Sequence, residues 1–504
     1  MSLSSAFDAV SSVFRRRPAD FLPVYFLSPA VPAITRVVTF AGLIVAFVYL
    51  EVTGRLDRLR ETLPTYDFEP PPPDAEPEAF AEWVESLVPL FELLFPMSVQ
   101  LILLGTLALT VVVTIVVSAV VTAAQLSTCY ARLRSDRGLT AAIRGSKRHW
   151  LSILGARLLE FFLWLSLTAV AVAAVAVAFV ISPLLGVLAM PLTFLVWLVA
   201  VVVIRAVFAF VPVAIVVDDG GVLAAVRTSG GYVRSNPFDA FGYYVLVVVS
   251  IFALASLAGT LAVLGGGVPL VGILGFVLVD PALDLVKTAL YGDHSGSISP
   301  PEPSERDLRG QLIGGIRRGW AETVTFVRAT PALHVLALGI AVAGFIGGWV
   351  LSAPIDGLVT SSIAERIDGL VAPVAALEFA TNNWAVAVST ALSGLALTVP
   401  AVASLLFNGV VFGVYARTEV APMELLAFVL PHGLIEIPAF LIAGALGLSL
   451  GVAAWRTYRR RATHAELADE LERAFWVLVG VGILLAIAGV IEGFVSPFYW
   501  RPFL

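Results

Sequence analysis

The sequence predicts an all-α, polytopic helical integral membrane protein with about eleven membrane segments, one of them short or re-entrant. Three observations carry that expectation. Of the 504 residues, 59% are hydrophobic and only 13% charged, whereas soluble domains hold about 45–50% apolar and about 25% charged residues; the mean hydropathy is +0.94. The apolar residues gather in runs of about 20 or more, the length a helix needs to cross a bilayer. Basic residues cluster between those runs, as they do in loops kept on the cytoplasmic face. This pattern excludes a soluble enzyme, a nucleic-acid-binding domain and a disordered scaffold.

The first run, residues 29–50, follows Arg15, Arg16 and Arg17, so the N-terminus is expected in the cytoplasm. No small-residue cleavage site follows those arginines, and the first membrane helix is expected to be retained. Residues 51–92 hold eleven acids against three arginines, with prolines at 70–73. Such a segment cannot bury a core and favours extended chain, so residues 51–96 are expected to form an external loop. Its end, FAEWVESLVPLFELL, has the spacing of an interfacial amphipathic helix. The second run, 97–126, leads into Arg132, Arg134, Arg137, Arg144, Lys147 and Arg148 against one acid, a strong cytoplasmic signal. Residues 151–182, 183–217, 240–263 and 268–291 supply four further crossings. The polar stretch 218–237 reads as a surface helix broken at Gly230–Gly231.

The Ser/Pro-rich stretch from residue 292 reads as a cytoplasmic linker. The expected organisation is a six-helix module over 1–295, a linker and amphipathic lead-in over 296–331, and a second membrane module over 332–504. There, residues 333–351 cross outward, 354–382 form an external stretch, and 383–415 are a long apolar run with Pro400 in the middle. Residues 419–455 are a 37-residue, mostly apolar stretch interrupted at LPHG and at Pro438. With Arg417 and Arg459–Arg461 both cytoplasmic, that stretch must enter and return, which predicts the re-entrant helix near His432. The last crossing, 474–495, leaves the C-terminus outside.

The order NNWAVAVSTALSGLALTVPAVASLLFNGVVFG, LPHGLIEIPAFLIAGALGL and IEGFVSPF resembles the stage II sporulation protein M family, over residues 310–504. That resemblance implies a multi-pass membrane protein acting beside partner proteins, not a hydrolase; the extra first half argues against carrying over a sporulation role. FVPVAIVVDDGGVLAAVRTSGGYVRSNP and VDPALDLVKTALY resemble the polytopic membrane domain attached to some glycerophosphodiester phosphodiesterases, which implies architecture without activity.

Ionisable groups within apolar runs are expensive and ask for a partner or a purpose. His432 and Glu436, four apart, share a helix face. They fit either a proton or ion relay at a helix break or a hydrogen bond that pins the helix; two ligands without a third make a poor metal site. Asn383 and Asn408 suit interhelical hydrogen bonds or a substrate path, and Glu492 a bond near the outer end of the last crossing. Arg157 with Glu160, and Asp284 with Lys287, sit three apart and are expected to pair; Arg205 invites a cavity. The glycines of GFIGG (344–348) and GALGLSLG (444–451) suit close helix packing. No catalytic residues, cofactor or metal site can be assembled, and the lone Cys129 excludes an internal disulfide. The expected function is a non-enzymatic scaffold or envelope-organising component, contacting lipid and partner membrane proteins and no nucleic acid. The alternative is a transporter or permease subunit with a polar path near His432 and Glu436.

Overall fold

The computed structural model of the chain describes residues 3–66, 70–72, 74–302, 307–357 and 359–501. In chain order the helices are α1 (Leu3–Arg16), α2 (Leu27–Val52), α3 (Arg55–Thr62), α4 (Pro77–Leu94), α5 (Met97–Arg132), α6 (Gly138–Ile181), α7 (Pro183–Phe208), α8 (Val211–Val217), α9 (Val222–Ser235) and α10 (Pro237–Val263). They continue as α11 (Val268–Leu274), α12 (Asp280–His294), α13 (Leu308–Ala329), α14 (Pro331–Leu351), α15 (Ile363–Ile367), α16 (Ala372–Ser393), α17 (Val399–Thr418), α18 (Pro422–Tyr458) and α19 (His464–Phe494). A π-helical turn, Gly275–Val279, joins α11 to α12. No β-strand occurs among the described residues, as expected of a chain that must satisfy its backbone hydrogen bonds within lipid.

Ten helical stretches among the described residues are long and apolar enough to cross a membrane. The eleventh member of the bundle is α16, which carries Glu378, Asn382 and Asn383. It can be more polar because protein surrounds it: it packs on α2, α11, α18 and α19. The protein is therefore a multi-pass helical membrane protein.

Several boundaries differ from the sequence expectation. The acidic segment is largely helical, α3 against α4; residues 67–69 and 73 lie outside the described residues. The basic stretch after α5 is a loop only over 133–137, because α6 begins at Gly138 and carries Arg144, Lys147 and Arg148 on its first turns. Gly230 and Gly231 do not break α9: the flanking Ser229 donates to the Val207 carbonyl at 2.6 Å and Tyr232 is buried, which holds the helix through two weak helix formers. The run 383–415 is split by a turn at 394–398, where Leu397 and Thr398 take positive φ. Only 363–367 of the external stretch is a separate helix, since α16 already starts at Ala372.

The largest correction concerns α18. It is one continuous helix of 37 residues, about 55 Å long at about 1.5 Å per residue, and no re-entrant segment forms. Arg417 belongs to the end of the bundle opposite Arg459–Arg461: its Nε donates to Asp356 Oδ2 at 2.8 Å and its guanidinium lies over Trp349. A paired arginine stacked on an aromatic ring is a weak marker of sidedness, which is why the charge rule misplaced it.

Most of the remaining arginine clusters gather at one end, the basic end. There Asp20 accepts from Gly138 N at 2.9 Å and Leu139 N at 3.1 Å and pairs with Arg132 at 3.3 Å. A buried carboxylate thus caps the N-terminus of α6, where the helix dipole favours negative charge. Arg137 pairs with Asp469, Arg148 with Asp219, and Arg318 with Glu472 at 3.2 Å. The bond to Asp469 raises the Arg137 pKa. Asp284 and Lys287 do pair, at 2.6 Å, and Asp284 also accepts from Tyr25 at 3.0 Å. Glu160, however, pairs with Arg205 at 2.9 Å, while Arg157 donates to Thr122 at 2.6 Å. Arg205 is thus neutralised by the acid three positions after Arg157.

The two halves share one core. Phe26, ahead of α2, packs its ring on Phe276 at 5.7 Å and on Trp384 and Phe475 at 5.6 Å. The Trp384 indole donates to the Leu478 carbonyl at 2.9 Å. At the end opposite the basic one, Glu378 on α16 accepts from Gly267 N at 2.9 Å, in the turn between α10 and α11.

Candidate functional site

The candidate site lies between α18 and the end of α19, at the end opposite the basic one. Its position follows from the irregularities of α18. Pro431 has no N–H to give the Ala427 carbonyl four residues back, and the Tyr499 hydroxyl donates to that carbonyl instead, at 2.6 Å. The C-terminal turn therefore repairs the helix where the sequence suggested a break. Trp500 Nε1 donates to the Ser496 carbonyl at 2.8 Å, which holds the same turn closed.

One turn beyond Ala427, His432 and Glu436 point at α19. The His432 Nδ1 hydrogen-bonds Ser496 Oγ at 2.9 Å, and its Nε2 lies 3.8 Å from Glu492 Oε1. One ligand-type atom from each of His432, Glu436 and Glu492 lies within 4.8 Å of the others. His432 is 5% exposed, and Glu436 and Glu492 9% each. Glu436 Oε2 and Glu492 Oε2 are buried with no hydrogen-bond partner.

A small apolar cap closes the outer side. Ile363 and Ile367 of α15 pack with Phe428 and Trp500, and Phe428 sets its ring edge-on to His432 at 5.2 Å. Glu419 holds the cap by accepting from Ile363 N at 3.0 Å. The arrangement can accept a proton or a cation, because it concentrates acceptors where water is scarce.

Of the five residues singled out in the sequence, His432, Glu436 and Glu492 meet. Asn383 and Asn408 do not join them by hydrogen bonds: Asn408 donates to the Ser404 carbonyl of its own helix at 2.8 Å, and Asn383 accepts from Asn382 at 3.2 Å. The sequence reading missed Ser496, Tyr499 and the capping Glu419. Only the first carried a signal, as the polar residue four after Glu492.

Fold and site together define a multi-pass α-helical membrane protein with a buried His/Glu/Glu group. Residues 332–497 match the family model described as stage II sporulation protein M. Residues 25–292 match a second model, a family of unknown function (DUF7544); that match spans just over half of the chain, which belongs to this family. The expected likeness of the first half to the membrane domain of glycerophosphodiester phosphodiesterases is not supported, since the family of unknown function matches there instead. No curated protein matches the chain, and no solved structure does.

Proposed function

We propose that the protein is a non-enzymatic membrane component that organises partner proteins as one rigid body, with its basic end in the cytoplasm and its C-terminus outside. The observation that carries this is the common core at Phe26, which joins both matched regions through Phe276, Trp384 and Phe475. Transporters work by rocking one helical bundle against another. Here the junction is aromatic and buried at its middle, and it is tied at one end by Glu378 to Gly267 and at the other by Arg137 to Asp469. Sliding these halves would separate buried aromatic rings and break both polar ties, which makes rigid-body presentation the better use of the fold.

The rival is a transporter or permease subunit, favoured by the buried His432 group. Crosslinking in native membranes followed by affinity purification separates the two. Organisation through partners predicts a reproducible set of membrane proteins, retained when His432→Ala and Glu436→Gln are combined. Recovery of no reproducible partner overturns it. Transport is supported instead if the double variant keeps its abundance and loses a flux.

A further inference from the structure

We propose that His432, Glu436 and Glu492 bind one first-row divalent cation, of the zinc type, beneath the α15 cap. The third ligand is what the sequence lacked. His432 and Glu436 alone are two groups on one helix face; α19 brings Glu492 to them, with all three ligand atoms within 4.8 Å. Mixed imidazole and carboxylate ligands suit zinc and its first-row neighbours.

Charge supplies the first argument. The other acids withdrawn from water have partners: Asp20 has Arg132, Asp284 has Lys287, and Glu419 accepts from the Ile363 and Ala421 N–H groups. Among the described residues, no lysine or arginine forms an ion pair with Glu436 or Glu492; Arg366 of the α15 cap reaches Glu492 only through longer-range attraction, and the His432 imidazole is the basic group nearest to it. Two carboxylates, each about nine-tenths buried, are costly without a counter-charge. One divalent ion beside a neutral imidazole balances them.

Geometry supplies the second. Nε2 of His432 and Oε1 of Glu492 are 3.8 Å apart, beyond a hydrogen bond yet close to the separation of about 3.3 Å that bonds of about 2.0–2.1 Å give at a tetrahedral ion. The two unpartnered oxygens, Glu436 Oε2 and Glu492 Oε2, lie in the same group. Ser496 meanwhile engages Nδ1, as outer-shell groups do for histidines that ligate through the other nitrogen. Three protein ligands leave a position for water. The ion would tie α18, α19 and the C-terminal turn together.

The test uses the full chain in detergent, stripped with a chelator and titrated with Zn²⁺ by calorimetry and with Co²⁺ by visible absorption. One equivalent is expected per chain, together with a rise in the unfolding temperature on loading. The near-isosteric changes Glu436→Gln and Glu492→Gln should each weaken binding at least about 100-fold and abolish that rise, and Ser496→Ala should weaken it about 10-fold. A wild-type chain that binds neither ion overturns the site, and proton occupancy then accounts for the group. Equal binding by wild type and both glutamine variants, each monodisperse, also overturns it by placing the ion elsewhere.

Discussion

The two halves of the protein solve the same problem, crossing lipid, by different means. In the most apolar windows of α5, α6, α10 and the α7–α8 stretch, none of the residues is buried within the protein; in α18 and α19, 56% are. Those first-half helices therefore give their apolar side chains to lipid, while α18 and α19 commit theirs to helix packing. Composition explains the difference. The first-half helices are built of Val, Leu and Phe, which gain little from meeting each other rather than acyl chains. The second-half helices are studded with glycines that let backbones touch. Gly344 and Gly348 of α14 face Leu406 and Val410 of α17, while Gly409 and Gly413 face back to Ala341 and Phe345. Gly394 and Gly447 bring α16 against α18 in the same way. Close packing is thus concentrated in the half that carries the His432 group.

That contrast can be broken most forcefully at a glycine. A side chain at Gly348 would run into the backbone of Val410, whereas one at Gly105 in α5 meets nothing within 4 Å. Gly348→Leu should lower stability by about 1–3 kcal/mol through overpacking, read as a fall in unfolding temperature or in monodisperse yield from detergent. Gly105→Leu should leave both unchanged or slightly raised, since only the entropic cost of glycine in a helix is relieved there. Equal losses at the two positions would show that the halves are packed alike.

A smaller effect probes how the second half mends its own helix. Tyr499→Phe removes the donor from the Ala427 carbonyl that Pro431 leaves free, and should cost about 1 kcal/mol. Replacing Pro431 with Ala in the same chain should restore the loss, because the helix then supplies its own N–H. If the two changes simply add, the hydroxyl is not the repair.

The fold class was legible in the sequence because hydropathy and run length are summed over many residues. Ten stretches are long and apolar enough to cross, against about eleven segments expected, and the expected re-entrant segment is absent. An apolar run does not say where a chain turns, and α18 shows why: two prolines and a histidine suggest a break that a tyrosine some 70 residues later mends. Half of the candidate site was legible, since His432 and Glu436 announce a shared face at i and i+4. Glu492 is visible only as a lone intramembrane acid, and no local pattern says it meets the other two. Asn383 and Asn408 look equally suspicious in the sequence, yet Asn408 turns its donor to its own helix, an option open to any intrahelical amide. The pairing of Glu160 with Arg205 instead of Arg157 teaches the same point, because i,i+3 spacing permits a bond without excluding a better partner on the next helix.

The smallest expected effect reverses the sign of the first. Gly230 and Gly231 lie inside α9, a methyl group added at either would meet nothing within 4 Å, and neither has positive φ. They therefore lack the contact that makes Gly348 indispensable, and each carries only the entropic cost of glycine in a helix. Gly231→Ala should stabilise the chain by about 0.5–1 kcal/mol, read as a rise in unfolding temperature. A loss instead would mean that something presses on α9 from outside the chain, a partner close enough to require the bare backbone. The same substitution thus asks whether the loosely packed half is bare because it faces lipid or because it is reserved for another protein.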